Sequence, residues 1–179
     1  MNDDWFEVDE GELSPPHTAL VGIVRERARG WPECPPDATA VLVFPADEED
    51  EEEDARAPRD AYDAAWDEAF AAGQAVLTLI VDLKHRDQKL VVMTLGATVA
   101  GDRLFCSERN SSTYHPEPVT DVEPLEATGS PEELGRIAAD WFEEIVSRSM
   151  IELDRKPWPR SFVPKGTSLP HGHRWVRNP

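Results

Sequence analysis

The sequence predicts an α+β domain, a single mainly antiparallel sheet of five or six strands with about three helices packed mainly on one face. Two observations support this fold class. Apolar residues recur at helical spacing near residues 15–29, 61–72 and 130–148. Between the last two of these segments, β-rich runs follow one another with only short polar connections, as the strands of an antiparallel meander do.

Each predicted helix begins at a residue suited to its N-terminus. Ser14 can cap the first helix and is followed by proline at the first helical position, and Asp60 can cap the second. The third begins at Ser130 with S-P-E-E, which fits the S-x-x-E capping box. Its apolar stripe includes Trp141. We therefore expect Trp141 to be buried between this helix and the sheet.

The strands are predicted from short apolar runs rich in β-branched residues. The predicted strands span residues 39–44, 75–83, 89–95, 103–106, 119–126 and 150–153. The run at 39–44 is typical of a buried strand. The run at 75–83 is apolar on both faces, which indicates a central strand covered at least in part on both sides. Prolines at 118 and 124 restrict the run at 119–126 to an edge.

The two ends of the chain differ in composition from the predicted domain at 14–153. Residues 1–13 are acidic with a short apolar insert, and we expect a mobile arm or a loosely docked edge. The tail at 154–179 carries six bases and five prolines from residue 155 onward, with no acid there. Its prolines and glycines argue against long regular structure, whereas its aromatic residues favour docking on the domain surface.

Charge is the most distinctive property of the sequence, with 36 acidic against 18 basic residues and a net charge of −18. Residues 1–54 alone hold 17 acids and 3 bases. The predicted loop at 45–59 contains eight consecutive acids, Asp47–Asp54, which cannot fold locally against their own repulsion. This run is either a solubilising insertion or a docking strip for a basic partner. Such a surface repels nucleic acid and anionic membranes and attracts basic proteins.

The sequence favours a cytoplasmic protein. It contains no apolar run of the roughly 18 residues that a membrane span requires, and the first residues are acidic where a signal peptide is basic. The two cysteines, Cys34 and Cys106, are far apart and have no metal-like spacing. We expect both to be free thiols.

No strong catalytic or cofactor motif is present: the sequence lacks the phosphate loop, the dinucleotide fingerprint, the nucleophile elbow and H-E-x-x-H. We therefore predict no catalytic residue, no cofactor and no enzyme activity. His171 and His173 are weak metal candidates because a stable site needs further ligands. His115 lies near Glu117 in a predicted loop. If the chain is an unrecognised hydrolase, its catalytic histidine is either His115 or one of the pair His171 and His173.

One segment resembles a known group of proteins. Residues 130–145, S-P-E-E-L-G-R-I-A-A-D-W-F-E-E-I, look like a segment near the C-terminus of many small acidic actinomycete proteins, and Arg174-Trp175-Val176 is similar to a later strand of theirs. Most members of that group have no assigned function, and some look like immunity proteins encoded beside polymorphic toxins. The immunity-like members imply a non-catalytic inhibitor, and the group brings no active-site residues.

Three functions follow as hypotheses: an immunity-type inhibitor of a basic toxin or nuclease, an adaptor or secretion chaperone that holds a partner segment, and an unrecognised hydrolase. The first is favoured because complementary charge accelerates association and rejects wrong partners. The identity of the partner, its binding face and the oligomeric state stay open. The residues expected to bind the partner are Asp47, Glu48, Glu49, Asp50, Glu51, Glu52, Glu53, Asp54, Asp140, Glu143 and Glu144.

Overall fold

A computed structural model describes residues 4–46, 60–117, 121–154, 156–164 and 166–179. The predicted acidic loop at 45–59 lies almost wholly outside these ranges. The helices are α1 (Pro15–Ala28), α2 (Ala61–Ala71) and α3 (Pro131–Val146). The strands are β1 (Thr39–Phe44), β2 (Val76–Lys84), β3 (Val91–Ala100), β4 (Arg103–Arg109), β5 (Leu125–Thr128), β6 (Ser149–Leu153), β7 (Lys156–Val163) and β8 (His173–Arg177).

Strands β1 to β5 form one antiparallel sheet in their sequence order. The α+β class and the antiparallel meander are thus confirmed. The predicted strand at 39–44 is present but lies at the edge of the sheet and is only half-buried, so the expectation of a buried strand was wrong. The predicted edge strand is found at Leu125–Thr128. No helix in the described ranges is both long and apolar enough to span a membrane.

The sheet is covered on both faces. Helices α1 and α3 pack together on one face, where Gly135 of α3 lies so close to α1 that a Cβ atom would fall 3.2 Å from the Leu20 carbonyl oxygen. Helix α2 packs on the opposite face with an aromatic cluster that includes Trp66 and Phe105. Alternating side chains of the sheet therefore enter two separate cores.

Trp141 is buried, as the periodicity of α3 predicts. It is 7% exposed, and its indole N–H donates to the backbone carbonyl of Glu123 at 3.2 Å. Its ring also packs edge-on against Phe142, which is fully buried. The side chain therefore anchors α3 to the segment that leads into β5.

We expect Trp141→Phe to lower the free energy of unfolding by about 1–2 kcal/mol, because phenylalanine fills less of the site and cannot donate to the Glu123 carbonyl. Urea denaturation followed by circular dichroism measures the change. An unchanged urea midpoint would show that the indole N–H and the larger ring contribute nothing to stability.

The N-terminal segment is held to the main core. Phe6 is fully buried against Trp31 and Phe142, with ring centroids 6.1 and 6.3 Å away. Its backbone N–H donates to Thr39 Oγ1 at 2.7 Å, and its carbonyl accepts from Arg25 Nη2 at 3.0 Å. The segment is thus fixed more firmly than the expected mobile arm or loosely docked edge. Burial of the apolar insert therefore docks the segment despite the acids around it.

The tail forms regular structure, which corrects the expectation that its prolines would prevent it. Strands β7, β6 and β8 make a second, three-stranded antiparallel sheet with β6 in the centre. The domain therefore contains two sheets rather than the single one predicted. Pro157 and Pro159 are tolerated because β7 is an edge strand. Val176 of β8 is buried in the main core, and Phe162 of β7 packs against it.

Candidate protein-binding surface

The acids predicted on α3 lie on its outer side, where basic residues partly neutralise them. Arg27 of α1 lies 2.9 Å from Asp140 and also contacts Glu143. Glu144 pairs with Arg148 at 2.7 Å. Three carboxylates on the outer side of α3 thus meet two guanidinium groups, one from α1 and one from just after α3. Exposed pairs of this kind add little stability and leave the carboxylates accessible to a partner.

The other predicted acids, Asp47–Asp54, lie outside the described residues. The structure therefore does not place them relative to the carboxylates of α3. Only their attachment is fixed by the sequence, because the run follows β1 after Pro45 and Ala46.

Three arginines of the tail, Arg160, Arg174 and Arg177, bind groups of the domain. Arg177 is fully buried and donates to the carbonyls of Lys84, Glu33 and Val146. Arg160 is buried, and both it and the half-exposed Arg174 bind Glu152. These three side chains stabilise the second sheet.

Glu152 lies at the centre of a buried ionic cluster. It is 1% exposed and accepts from Arg160 Nε at 3.0 Å and Arg174 Nε at 2.7 Å. His85 Nε2 lies 3.4 Å from the same carboxylate, and His85 Nδ1 accepts the N–H of Asp87 at 3.0 Å. This arrangement assigns the proton of the neutral ring to Nε2, which donates to Glu152.

The charge state of the cluster follows from these contacts. Burial raises the pKa of Glu152, but hydrogen bonds from Arg160, Arg174 and His85 outweigh it and hold the pKa below the usual value. The carboxylate is therefore ionised at neutral pH. The sequence carried one signal for this site: Glu152 interrupts the apolar run from Met150 to Leu153, and a buried acid requires partners. Nothing in the sequence indicated which residues those partners would be.

Arg109 is a third buried guanidinium, on the α2 side of the main sheet. It is 2% exposed, stacks on the ring of Tyr62 at 4.9 Å and donates to Thr98 Oγ1 at 3.0 Å. Gly96 makes room for it, since a Cβ atom there would fall 2.5 Å from Arg109 Nε. Burial lowers the pKa of Arg109, and interactions with Tyr62 and Cys106 oppose this shift. The contacts assign Arg109 a packing role beneath α2.

The distribution of charge between interior and surface follows from these sites. Among the described residues, the buried arginines are Arg109, Arg160 and Arg177, whereas the buried acid is Glu152. Positive charge is therefore in excess inside the domain, and the surplus of carboxylates faces solvent. A partner meets a surface that is more acidic than an even distribution of the residues would give.

The histidines predicted as weak metal candidates do not assemble a ligand set. His173 Nδ1 lies 3.2 Å from the backbone carbonyl of His171, and both residues are at the surface. His115 is exposed, and the carboxylate of Glu117 instead accepts from the side chain of Asn110 at 3.1 Å. In the part of the chain that the structure describes, no three His, Cys, Asp or Glu residues are grouped to hold a metal ion.

Both cysteines are free, as predicted, and both are buried. Burial raises the pKa of Cys34 to about 11, and burial also raises that of Cys106. Both thiols are therefore protonated at neutral pH. A protonated, buried thiol is a poor nucleophile.

An open groove of about 620 Å³ lies where the N-termini of α1 and α3 approach the end of α2 and the β3–β4 turn. Its polar lining includes Glu68, Gln74 and Asp102. His17, which also lines it, is buried, and among the described residues its Nδ1 atom has no hydrogen-bond partner. Burial lowers the pKa of His17, so the ring is neutral at neutral pH.

We expect His17→Gln to change the pH dependence of stability. Because the pKa of His17 is lower in the folded state than in the unfolded state, its contribution is fully present above the unfolded value of about 6.5 and is lost as the pH falls. The free energy of unfolding should therefore decrease more between about pH 7 and pH 5 in the parent than in the variant. Urea titrations at several pH values measure both curves. Parallel curves would show that His17 does not titrate differently on folding.

Comparisons with known proteins returned no match to this chain. No protein-family model matches it, and neither a curated protein nor a solved structure does.

Proposed function

We propose that this chain binds a basic protein partner through its acidic surface and acts as an immunity-type inhibitor of a basic toxin or nuclease. The observation that supports this proposal is the distribution of charge. A net charge of −18 belongs to a domain that buries Arg109, Arg160 and Arg177 and keeps most of its described carboxylates at the surface. Such a surface attracts a protein that itself binds nucleic acid, since the carboxylates of the surface and the phosphates of a nucleic acid both present rows of negative charge.

The physical advantage of carboxylates lies in encounter and selectivity. Long-range attraction raises the association rate of a basic partner, and like-charge repulsion rejects acidic competitors. The carboxylates Asp140 and Glu144 are exposed on α3, so a partner can exchange their present contacts with Arg27 and Arg148 for its own bases. The exchange costs little because exposed ion pairs contribute about 0–1 kcal/mol each.

Affinity capture from the native host tests this function. The parent serves as one bait, and the second bait carries Asp or Glu to Asn or Gln at residues 47–54 together with Asp140→Asn and Glu144→Gln. A matched control, Arg136→Gln, removes an exposed base from the same helix. We expect the parent and the control to capture the same basic protein and the neutralised bait to capture much less. An acidic protein captured equally by all three would contradict the proposal.

One observation favours a second function, that of an adaptor or secretion chaperone. Strand β1 is an edge strand that pairs only with β2 within the described residues. An edge of this kind can hold an extended segment of another protein. A captured protein encoded beside secretion machinery, rather than a toxin, would support this function over the first.

A further inference from the structure

The groove where the N-termini of α1 and α3 approach the end of α2 is large enough to hold a side chain of another molecule. Its volume is about 620 Å³, within the range of about 300–1,000 Å³ that is typical of small-ligand sites. Seven of its described lining residues are alanine or glycine. Because these side chains are small, the walls leave room for an aliphatic chain.

The charged groups of the groove are mainly acidic. Two carboxylates, Glu68 and Asp102, line it together with one base, Arg103. The guanidinium carbon of Arg103 lies 5.2 Å from the centre of the Phe105 ring, and its Nη1 atom is as far as 3.9 Å from the Glu68 carboxylate. The side chain of Glu68 is 76% exposed. Its carboxylate is therefore accessible to a further positive charge.

The two helix N-termini offer few donors to an anion. Helix N-termini bind anions through free backbone N–H groups. Prolines occupy the first two positions of α1 and the first position of α3, and proline has no N–H. The Ser14 and Ser130 hydroxyls already accept from the N–H groups of His17 and Glu133. The carboxylates therefore decide which sign of charge the groove prefers.

A buried acceptor also lines the groove. His17 is only 8% exposed, and among the described residues its Nδ1 atom has no hydrogen-bond partner. Burial lowers the pKa of this ring, and a neutral imidazole carries a lone pair on one of its nitrogens. A buried polar group without a partner is costly, so a donor that enters the groove gains by supplying one. A second neutral acceptor, Gln74 Oε1, lies beside Gly101, where a Cβ atom would fall 3.3 Å from it.

We propose that this groove binds a lysine side chain of the basic partner. The methylene groups of the lysine would lie on the small residues of the walls, and its ammonium group would donate to the acceptors. These acceptors come from α1, α2 and the β3–β4 turn, so they surround an ammonium group with three donors better than they match the flat fork of a guanidinium. The proposal rests on the proposed function, which it deepens by naming the kind of residue that is bound.

Nuclear magnetic resonance of the ¹⁵N-labelled full chain tests the proposal without the partner. The probe is n-butylammonium, which has the length and charge of a lysine side chain, and 1-butanol is its uncharged control. Butyrate and inorganic phosphate probe the groove for anion binding. The amides of Gly73, Gly101 and Gly129 report on the walls. At about 0.1 M salt we expect n-butylammonium to shift them with a Kd at least about tenfold lower than that of 1-butanol, and the anions to leave them unchanged.

Two double variants separate the groove from the overall charge of the protein. Glu68→Gln with Asp102→Asn should weaken n-butylammonium binding at least about fivefold. The matched control, Asp87→Asn with Asp154→Asn, removes the same two charges from exposed positions in the β2–β3 and β6–β7 turns. We expect the control to stay within about twofold of the parent, because exposed charges at a distance are screened by salt.

Three results would overturn the proposal. Shifts caused by butyrate or phosphate but not by n-butylammonium would identify an anion site, and equal losses in the two double variants would show that overall charge alone attracts the probe. Absence of any shift would exclude lysine from the groove but leave the proposed function standing, because the carboxylates of α3 form a separate surface. A chain that binds n-butylammonium but captures no basic protein would contradict the proposed function and, with it, a partner's lysine as the occupant.

Discussion

Replacing Phe6 by alanine is expected to lower the free energy of unfolding by about 3–5 kcal/mol. Phe6 is fully buried between Trp31 and Phe142. The variant therefore loses the free energy gained by burying an aromatic ring, and it leaves a cavity where three rings meet. Urea denaturation of the two proteins gives the difference.

A matched control removes an aromatic side chain from the surface. Tyr114 is 38% exposed in the loop after β4, and Tyr114→Ala should change stability by no more than about 0.5 kcal/mol. If Phe6→Ala were equally mild, the N-terminal segment would be the mobile arm that its acidic sequence first indicated. The difference between the two variants therefore measures how much the burial of Phe6 contributes to holding the acidic N-terminal segment on the domain.

Glu152→Ala is expected to destabilise the protein by about 3–5 kcal/mol, because removing one partner of a buried ion pair leaves the others without compensation. The carboxylate accepts hydrogen bonds from Arg160, Arg174 and His85. Glu144→Ala is the control, since Glu144 forms an exposed pair with Arg148 that is worth about 0–1 kcal/mol. Equal effects of the two substitutions would contradict a structural role for the cluster.

Acid titration separates the charge of Glu152 from its volume. The pKa of this carboxyl is lower in the folded state, so its contribution is fully present above the unfolded value of about 4.3 and is lost as the pH falls through the folded value. The stability difference between the parent and Glu152→Gln should be constant above about pH 5 and decrease below it. A difference that persists unchanged at low pH would assign the effect to packing alone.

The helices and most strands could be predicted from the sequence because each is a local pattern. The capping box at Ser130 and the apolar stripe of α3 lie within one segment, so the bounds of that helix followed from nearby residues. Position within a sheet is not local. The run at 39–44 has the same apolar character whether it lies in the centre or at an edge, and only its neighbours in space decide.

The features that sequence analysis missed arise from contacts between distant residues. The prolines at 157 and 159 argue against a strand in general, but an edge strand leaves room for them. Glu152 meets His85 only because β6 lies beside the β2–β3 turn, and it meets Arg160 and Arg174 through pairing with β7 and β8. The register of a second sheet has to be known before such a cluster can be recognised.

The candidate surface was predictable in kind but not in detail. The exposed positions of Asp140 and Glu144 follow from the polar side of α3. Their neighbour Arg27 comes from α1 and could be placed only once the packing of the two helices was known. The burial of Arg160 and Arg177 was equally unforeseen. Because it removes two positive charges from the surface, it makes the surface more acidic.

The most direct test of the acidic surface as a binding site is the association rate of the captured partner, measured by stopped flow between about 0.1 M and 1 M salt. Steering by a net charge of −18 acts at long range, and the Debye length falls from about 10 Å to about 3 Å over this interval. We expect association to slow by about tenfold or more while dissociation changes little. Neutralising Asp47–Asp54 with Asp140 and Glu144 should slow association at low salt by a similar factor. An association rate that does not depend on salt, or a partner that is itself acidic, would contradict the proposed function.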